Sequence, residues 1–227
     1  MQPRVMSPKR QQRGLTLVEM LVGVALGLVV VAASAKLVAG QVSEGRRLLL
    51  EARLMQDVRT AADLVTRDLR RAGHWGDAAA GVWRAGATGA LANPYAALPP
   101  AGAASDAITF AYSRDATENH VLDSNERFGF RLRNGVLEML IGAASWQALT
   151  DAGTLTVTAF SITPNVQRLS LAAYCPRGCT GASCPQQELR SLAVQLSGQA
   201  LVDTALTRTV RSEVRLRNDV VTGACPA

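Results

Sequence analysis

Histidine is scarce in this chain of 227 residues, and the motifs that usually mark catalytic or nucleotide-binding sites are missing. The two histidines, His74 and His120, lie in unlike contexts, and neither has a neighbouring pattern that indicates a nucleophile. No glycine-rich phosphate loop, histidine pair at metal spacing or basic run interleaved with aromatic residues occurs after residue 47. The sequence therefore predicts a protein that is not an enzyme and that holds no metal or cofactor. A single-span envelope enzyme remains as an alternative.

What the chain does have is a membrane-length apolar stretch near its start. The stretch runs from Gly14 to Ala35, between Arg13 and Lys36, and it contains one carboxylate, Glu19. Roughly 20 apolar residues cross a bilayer as a helix, and an unpaired carboxylate within such a run costs about 3 kcal/mol. A residue of this cost indicates a function for Glu19.

The flanking charges orient this stretch. No acidic residue precedes Gly14, whereas four basic residues do: Arg4, Lys9, Arg10 and Arg13. The positive-inside rule then places the N-terminus in the cytoplasm and the rest of the chain outside it. A secretory signal is cut beyond its apolar core, but here the small residue Gly14 lies before the core, so a cut at Gly14 leaves the helix on the mature protein.

The segment Arg13-Gly-Leu-Thr-Leu-Val-Glu-Met20 resembles the class III signal of type IV prepilins and type II secretion pseudopilins. The resemblance implies that a prepilin peptidase cuts after Gly14 and methylates the new N-terminus at Leu15. It further implies that Glu19 is the fifth-position glutamate, which in an incoming subunit pairs with the N-terminal amine of a neighbour in the filament. Three positions depart from the commonest family residues, and all three remain apolar.

The pairing of Glu19 with an amine has a physical reason. A carboxylate and an ammonium group that are each costly in a membrane offset one another when they meet. The alternative is that Glu19 extends toward the membrane surface or pairs with the amine of its own chain.

The overall charge gives little support to nucleic-acid binding. The formal net charge is +6, and it falls to about +2 once the four basic residues of the leader are subtracted. A nucleic-acid partner is therefore not indicated. An envelope adhesin or DNA-uptake factor, which needs an exposed basic or aromatic groove, is the alternative of another class.

Two periodic patterns beyond the apolar run predict an α+β fold. Gly40 and Gly45 weaken the helix, and an amphipathic helix then resumes until about Ala72-Gly73, its apolar positions being Leu50, Leu54, Val58, Ala61, Ala62, Val65 and Leu69. After an irregular stretch from 73 to 105, strands are predicted at 107–112, 128–133, 136–141, 154–162, 189–197 and 206–217. The Asn134-Gly135 pair predicts a hairpin, because both turn residues must accept a positive φ.

A second resemblance covers both ends of the region beyond the membrane. The segments 57–59, 66–76 and 214–218 resemble PilW-type minor pilins, which share their fold with the J-type pseudopilins of type II secretion. The resemblance implies a long helix packed on an antiparallel pilin-like head. The predicted organisation is a leader (1–14), a transmembrane helix (15–39), the amphipathic half of the long helix (40–72) and a β-rich head (73–227). His74 stands where the family usually has Tyr, and we expect it to pack beside Trp75.

The four cysteines, Cys175, Cys179, Cys184 and Cys225, all lie in the C-terminal quarter. Their spacing is not a standard zinc pattern, and the topology places them outside the cytoplasm, where disulfides persist. Three pairings are possible. We favour one bridge within the loop from 175 to 184 and one from that loop to Cys225.

An acidic segment precedes the predicted hairpin. It contains Asp115, Glu118, Asp123, Asn125 and Glu126. Asp123 and Asn125 have the spacing of the first two ligands of a calcium loop, but Arg127 takes the third ligand position and the required glycine is missing. We expect a solvated approach to the hairpin here.

Together these patterns predict a minor pilin that is processed at Gly14 and helps to initiate or cap a type IV pilus. Its expected partners are other minor pilins, the major pilin, the prepilin peptidase and the inner membrane. A J-type pseudopilin of a type II secretion system is the alternative within the same structural class.

Overall fold

The computed structural model describes Gly14 and residues 16–82, 91–99, 101–142 and 145–226. Leu15, the predicted first residue of the mature protein, lies outside the described residues. The chain forms two compact units, one running to Leu49 and one beginning at Leu50. The predicted α+β architecture is confirmed, since one long helix is followed by antiparallel strands.

The long helix, α1, extends from Leu17 to Leu69 over 53 residues. Gly40 and Gly45 lie inside it, and the expected weakening does not interrupt it. Each glycine costs only about 1 kcal/mol relative to alanine, and an established helix gains a hydrogen bond for every residue added. At the start of α1 the hydroxyl of Thr16 accepts a hydrogen bond from the N–H of Glu19, at 3.3 Å.

Helix α1 ends three residues before the predicted boundary. After Leu69 the chain tightens into a turn in which the N–H of Ala72 donates to the carbonyl of Leu69 at 3.0 Å. The chain then reverses at Gly73, whose φ of 73° is left-handed. The N–H of Gly73 donates to the carbonyl of Ala111 at 2.8 Å and so ties the helix end to the first strand.

Eight strands in the described part of the chain form two antiparallel sheets. The first sheet has the order β1 (Ala107–Ala111), β2 (Arg127–Arg133), β3 (Val136–Ile141) and β4 (Trp146–Ala148). The second has the order β5 (Leu155–Ser170), β6 (Gln186–Ala200) and β7 (Thr207–Arg215), and β8 (Val220–Thr222) also pairs with β6. Backbone hydrogen bonds between Ser105 and Ile162 join the two sheets.

The six predicted strands are present, and two short strands, β4 and β8, were not predicted. Each has three residues, which is too short for a periodic pattern to show. Strand β5 continues past Pro164, beyond its predicted end, because it lies at the edge of its sheet, where proline is tolerated. The predicted hairpin is confirmed, with φ values of 51° at Asn134 and 76° at Gly135.

The core lies between the buried face of α1 and the sheets. The helix contributes Leu54, Val58, Ala61, Ala62, Val65 and Leu69, as the periodicity predicted. Their partners on the strands include Phe110, Phe128, Phe130, Ile162, Leu192, Leu196 and Val214. Burying apolar side chains of this size contributes about 1.5–3 kcal/mol each. This shared core stabilises the packing of the helix against the strands within the second unit.

Candidate functional site

Gly14 is exposed, and no described contact requires a glycine there. A Cβ added at Gly14 would meet no atom within 4 Å. Packing among the described residues therefore does not account for the glycine.

Glu19 lies in the first turn of α1 and is exposed. This position is favourable for an anion, because the helix dipole places partial positive charge at the N-terminus. Within the described part of the chain Glu19 forms no ion pair. Its carboxylate is therefore available to a group from another molecule.

The residues around Glu19 form the apolar surface of a membrane-length helix. Among the described residues, α1 alone is long and apolar enough to cross a membrane, and its apolar segment is not buried inside the protein. Its exposed apolar side chains include Leu17, Met20, Leu26, Val30 and Leu37. A carboxylate on such a surface is costly in lipid unless a partner neutralises it.

The four cysteines form two disulfides. One joins Cys175 to Cys225 and the other joins Cys179 to Cys184. The first therefore ties the C-terminal tail to the loop, and the second closes the loop on itself. Nearby, the N–H of Ala224 donates to the carbonyl of Ser183 at 3.1 Å, which holds the tail against the same loop.

The expectation of a fully solvated acidic segment is wrong at Glu126, which is completely buried. One oxygen accepts the N–H of Arg114 at 2.8 Å, and the other accepts the N–H of Asp123 at 2.9 Å. The Asp123 side chain caps the same short 3₁₀ turn in return, forming a reciprocal capping box. A buried carboxylate is tolerated when donors surround it, and here the backbone supplies them.

Tyr95 links this turn to the rest of the fold. Its hydroxyl lies 3.0 Å from Glu118 Oε1 and 3.4 Å from Glu126 Oε1, and burial raises the pKa of Tyr95, so the hydroxyl remains a donor. Glu118 in turn accepts the N–H of Gly76 at 3.0 Å. The acidic segment is thus a structural connection to the residues that follow α1. The Asp123-x-x-Glu126 spacing of a capping box was the sequence signal for the turn itself, and no local pattern marked its contact with Tyr95.

The two histidines occupy different surroundings in the structure. It is His120, not His74, whose ring contacts Trp75, with centroids 5.6 Å apart in an edge-on arrangement. His74 lies half-buried, and its Nδ1 has no hydrogen-bond partner among the described residues. Burial, reinforced by the charges of Arg217 and Arg71, lowers the pKa of His74.

Arg190 is a buried cation that sequence reasoning did not identify. Its guanidinium donates to the carbonyl of Ala96 at 2.6 Å and lies 3.4 Å from the carbonyl of Asn218. It therefore joins β6 to two segments that are distant in sequence. No local pattern distinguishes this arginine from the exposed ones.

No described cluster has the composition of a metal centre. Among the described residues, no group of three or more histidine, cysteine, aspartate or glutamate side chains is arranged to hold a metal ion. The features that sequence and structure single out are therefore the N-terminal signal, the exposed apolar helix and the disulfide-linked head.

Comparison with known families explains this combination. Residues 9–35 match the prokaryotic N-terminal methylation motif, and residues 47–216 match the family described as Prepilin peptidase-dependent protein B. No curated protein and no solved structure matches the chain significantly. The two family matches confirm the resemblance to prepilins and indicate a membrane-anchored protein that is processed by prepilin peptidase. The chain belongs to the Prepilin peptidase-dependent protein B family.

Proposed function

We propose that this protein is a non-catalytic minor pilin of the PilW type that helps to initiate or cap a type IV pilus. The observation that carries the proposal is the exposed, unpaired Glu19 on a membrane-length helix, directly after a methylation motif. An unpaired carboxylate in lipid costs about 3 kcal/mol. The presence of Glu19 therefore favours a positively charged partner that arrives during assembly.

Processing supplies that partner. Cleavage after Gly14 leaves a new amine on Leu15, four residues before Glu19. Since no contact among the described residues requires a glycine at 14, the residue fits recognition by the peptidase. Glu19 of an incoming subunit then pairs with the amine of its neighbour, and each charge offsets the cost of the other.

In the proposed topology the N-terminus faces the cytoplasm and the head faces the periplasm. The four basic residues before the apolar run support this orientation. The two disulfides support it as well, because the periplasm preserves them. After assembly the head is carried in the pilus to the cell surface.

The test is to express the chain with and without a prepilin peptidase and to measure intact mass. We expect loss of the 14 leader residues, with Leu15 as a methylated N-terminus, and no loss when Gly14 is replaced by Leu. Gly23→Leu, within the apolar run, is the matched control and should be processed normally. A mature N-terminus other than Leu15 would contradict the proposal.

Deleting the gene then separates pilus assembly from secretion. Loss of surface pili with normal secretion supports the minor pilin. Loss of secretion with normal pili would instead assign the chain as a J-type pseudopilin.

A further inference from the structure

The solvent-facing side of α1 in the second unit is rich in arginine. Positions 53, 56, 60, 63, 67 and 70 follow three- and four-residue steps and so share one side of the helix. We define the arginine face as five exposed arginines: Arg53, Arg59 and Arg67 on α1, and Arg70 and Arg71 in the turn that follows it. The core residues of α1 point the opposite way. Asp63 is the exposed acid on the same side.

Most of these arginines have no acidic partner in their own chain. Within the described residues, Arg53, Arg59 and Arg70 form no ion pair, and Arg67 reaches only Asp68, at 3.9 Å. Arg71 lies over the ring of Tyr112, 4.2 Å from its centroid. The face thus presents several guanidinium groups that have no ion-pair partner among the described residues.

This side of the helix carries more positive charge than its one exposed acid can balance. Solvated surfaces are usually stabilised by alternating charges three or four residues apart. Asp63 lies four residues from both Arg59 and Arg67, but Arg67 and Arg70 are like charges three residues apart, and one aspartate on this side cannot neutralise five arginines. Like-charge neighbours destabilise a helix by a few tenths of a kcal/mol. An acidic partner that binds these arginines would replace this repulsion with attraction.

We propose that the arginine face is a docking surface for an acidic surface of a neighbouring pilin-like subunit. This inference rests on the proposed role in pilus assembly. Guanidinium groups pair with carboxylates through two parallel hydrogen bonds, and arginine is enriched at protein interfaces. Asp63 lies among these arginines, so the matching partner surface would carry one basic group among its acidic groups. A nucleic acid is less suitable, because its uniformly negative backbone would be repelled by Asp63.

The scarcity of lysine in this chain allows a selective test. Lysine occurs only at positions 9 and 36, so a lysine introduced at 59 or 70 adds an amine where the head has none. A carbodiimide joins an amine to a carboxylate only when the two are in contact. Arg59→Lys and Arg70→Lys, in the full chain in its native host, should therefore crosslink to the acidic partner. Arg133→Lys is the matched control, because Arg133 is exposed at the end of β2 and does not belong to the arginine face.

Crosslinking is carried out on membranes and on sheared pili, and the linked peptides are identified by mass spectrometry. We expect a link from Lys at 59 or 70 to an aspartate or glutamate of another pilin-like subunit, and no such link from Lys at 133. Intermolecular links of equal yield from all three positions, or none from 59 and 70, would overturn the inference. Removal of the leader without these crosslinks would refute the docking surface alone, whereas a retained leader would refute the proposed function.

A second measurement distinguishes nucleic acid from a protein partner. The probe is a labelled DNA duplex of about 30 base pairs at about 150 mM salt, where phosphate contacts with arginine still contribute. We expect no binding that depends on the arginine face. If the wild type binds this DNA and the Arg59→Glu/Arg70→Glu variant does not, the partner of the arginine face is DNA and the inference is overturned.

Discussion

Gly198 of β6 lies so close to Val58 of α1 that a side chain cannot fit between them. A Cβ added at Gly198 would stand 2.7 Å from Cγ2 of Val58, which is fully buried. The glycine therefore sets the distance between the helix and the second sheet. We expect Gly198→Ala to destabilise the head by about 1–3 kcal/mol through overpacking.

Thermal unfolding of a double-mutant cycle checks this. Val58→Ala removes the clashing methyl groups, so the double variant should lose less stability than the sum of the single variants. Gly45→Ala is the control, because it has open space around it and should stabilise the helix by about 1 kcal/mol. Additive losses would show that the two residues are not coupled.

The two disulfides should contribute unequally to stability. Cys175 and Cys225 are 50 residues apart in sequence, and Cys179 and Cys184 are 5 apart. By the chain-entropy argument, closing these loops stabilises the fold by about 4 and about 2 kcal/mol, respectively. We expect the melting temperature to fall further in Cys175→Ser/Cys225→Ser than in Cys179→Ser/Cys184→Ser. An unchanged melting temperature of the wild type in reductant would contradict a stabilising role for either bridge.

Replacing Glu126 by glutamine should be costly although the shapes are nearly identical. Both carboxylate oxygens accept backbone N–H groups, and glutamine would turn one of them into a donor that faces a donor. An unsatisfied buried group of this kind costs about 1–3 kcal/mol. Denaturant unfolding of Glu126→Gln measures the loss, and Asp106→Asn at an exposed position should cost little.

His74 should make the stability of the head depend on pH. Since burial lowers the pKa of His74 from its usual 6.5, the folded state favours the neutral ring. The stabilisation is complete above pH 6.5 and is lost as the pH falls through the lower pKa of the folded state. We expect His74→Tyr to flatten the melting temperature between about pH 7.5 and 5. An equal decline in both proteins would assign the effect to other groups.

Replacing Glu19 by alanine should separate membrane insertion from assembly. The change removes the charge that costs about 3 kcal/mol in lipid, so insertion and cleavage after Gly14 should persist. Entry into the filament should fail, because the amine of the neighbouring subunit loses its partner. Counting pili and crosslinking the variant to other pilins measure this. Glu44→Ala, an exposed carboxylate beyond the apolar run, is the control, and normal piliation by Glu19→Ala would refute the pairing.

Local patterns in the sequence determined the elements that depend on local physics. The long helix, its buried face and the hairpin at Asn134-Gly135 follow from residue spacing and turn chemistry, and the structure has each of them. The apolar run and the methylation motif are also linear features, so they could be identified before any fold was known.

The tertiary structure alone decided what depends on residues that are distant in the chain. Cysteine spacing left three pairings open, and the position of the tail beside the loop chose Cys175 with Cys225. Glu126 is charged and lies in a polar segment, yet the approach of Tyr95 and the Arg114 backbone buries it. Gly198 carries no sequence signal for its contact with Val58. These contacts form where separate elements pack together. The spacing of residues within one element does not show which residues of another element will contact it.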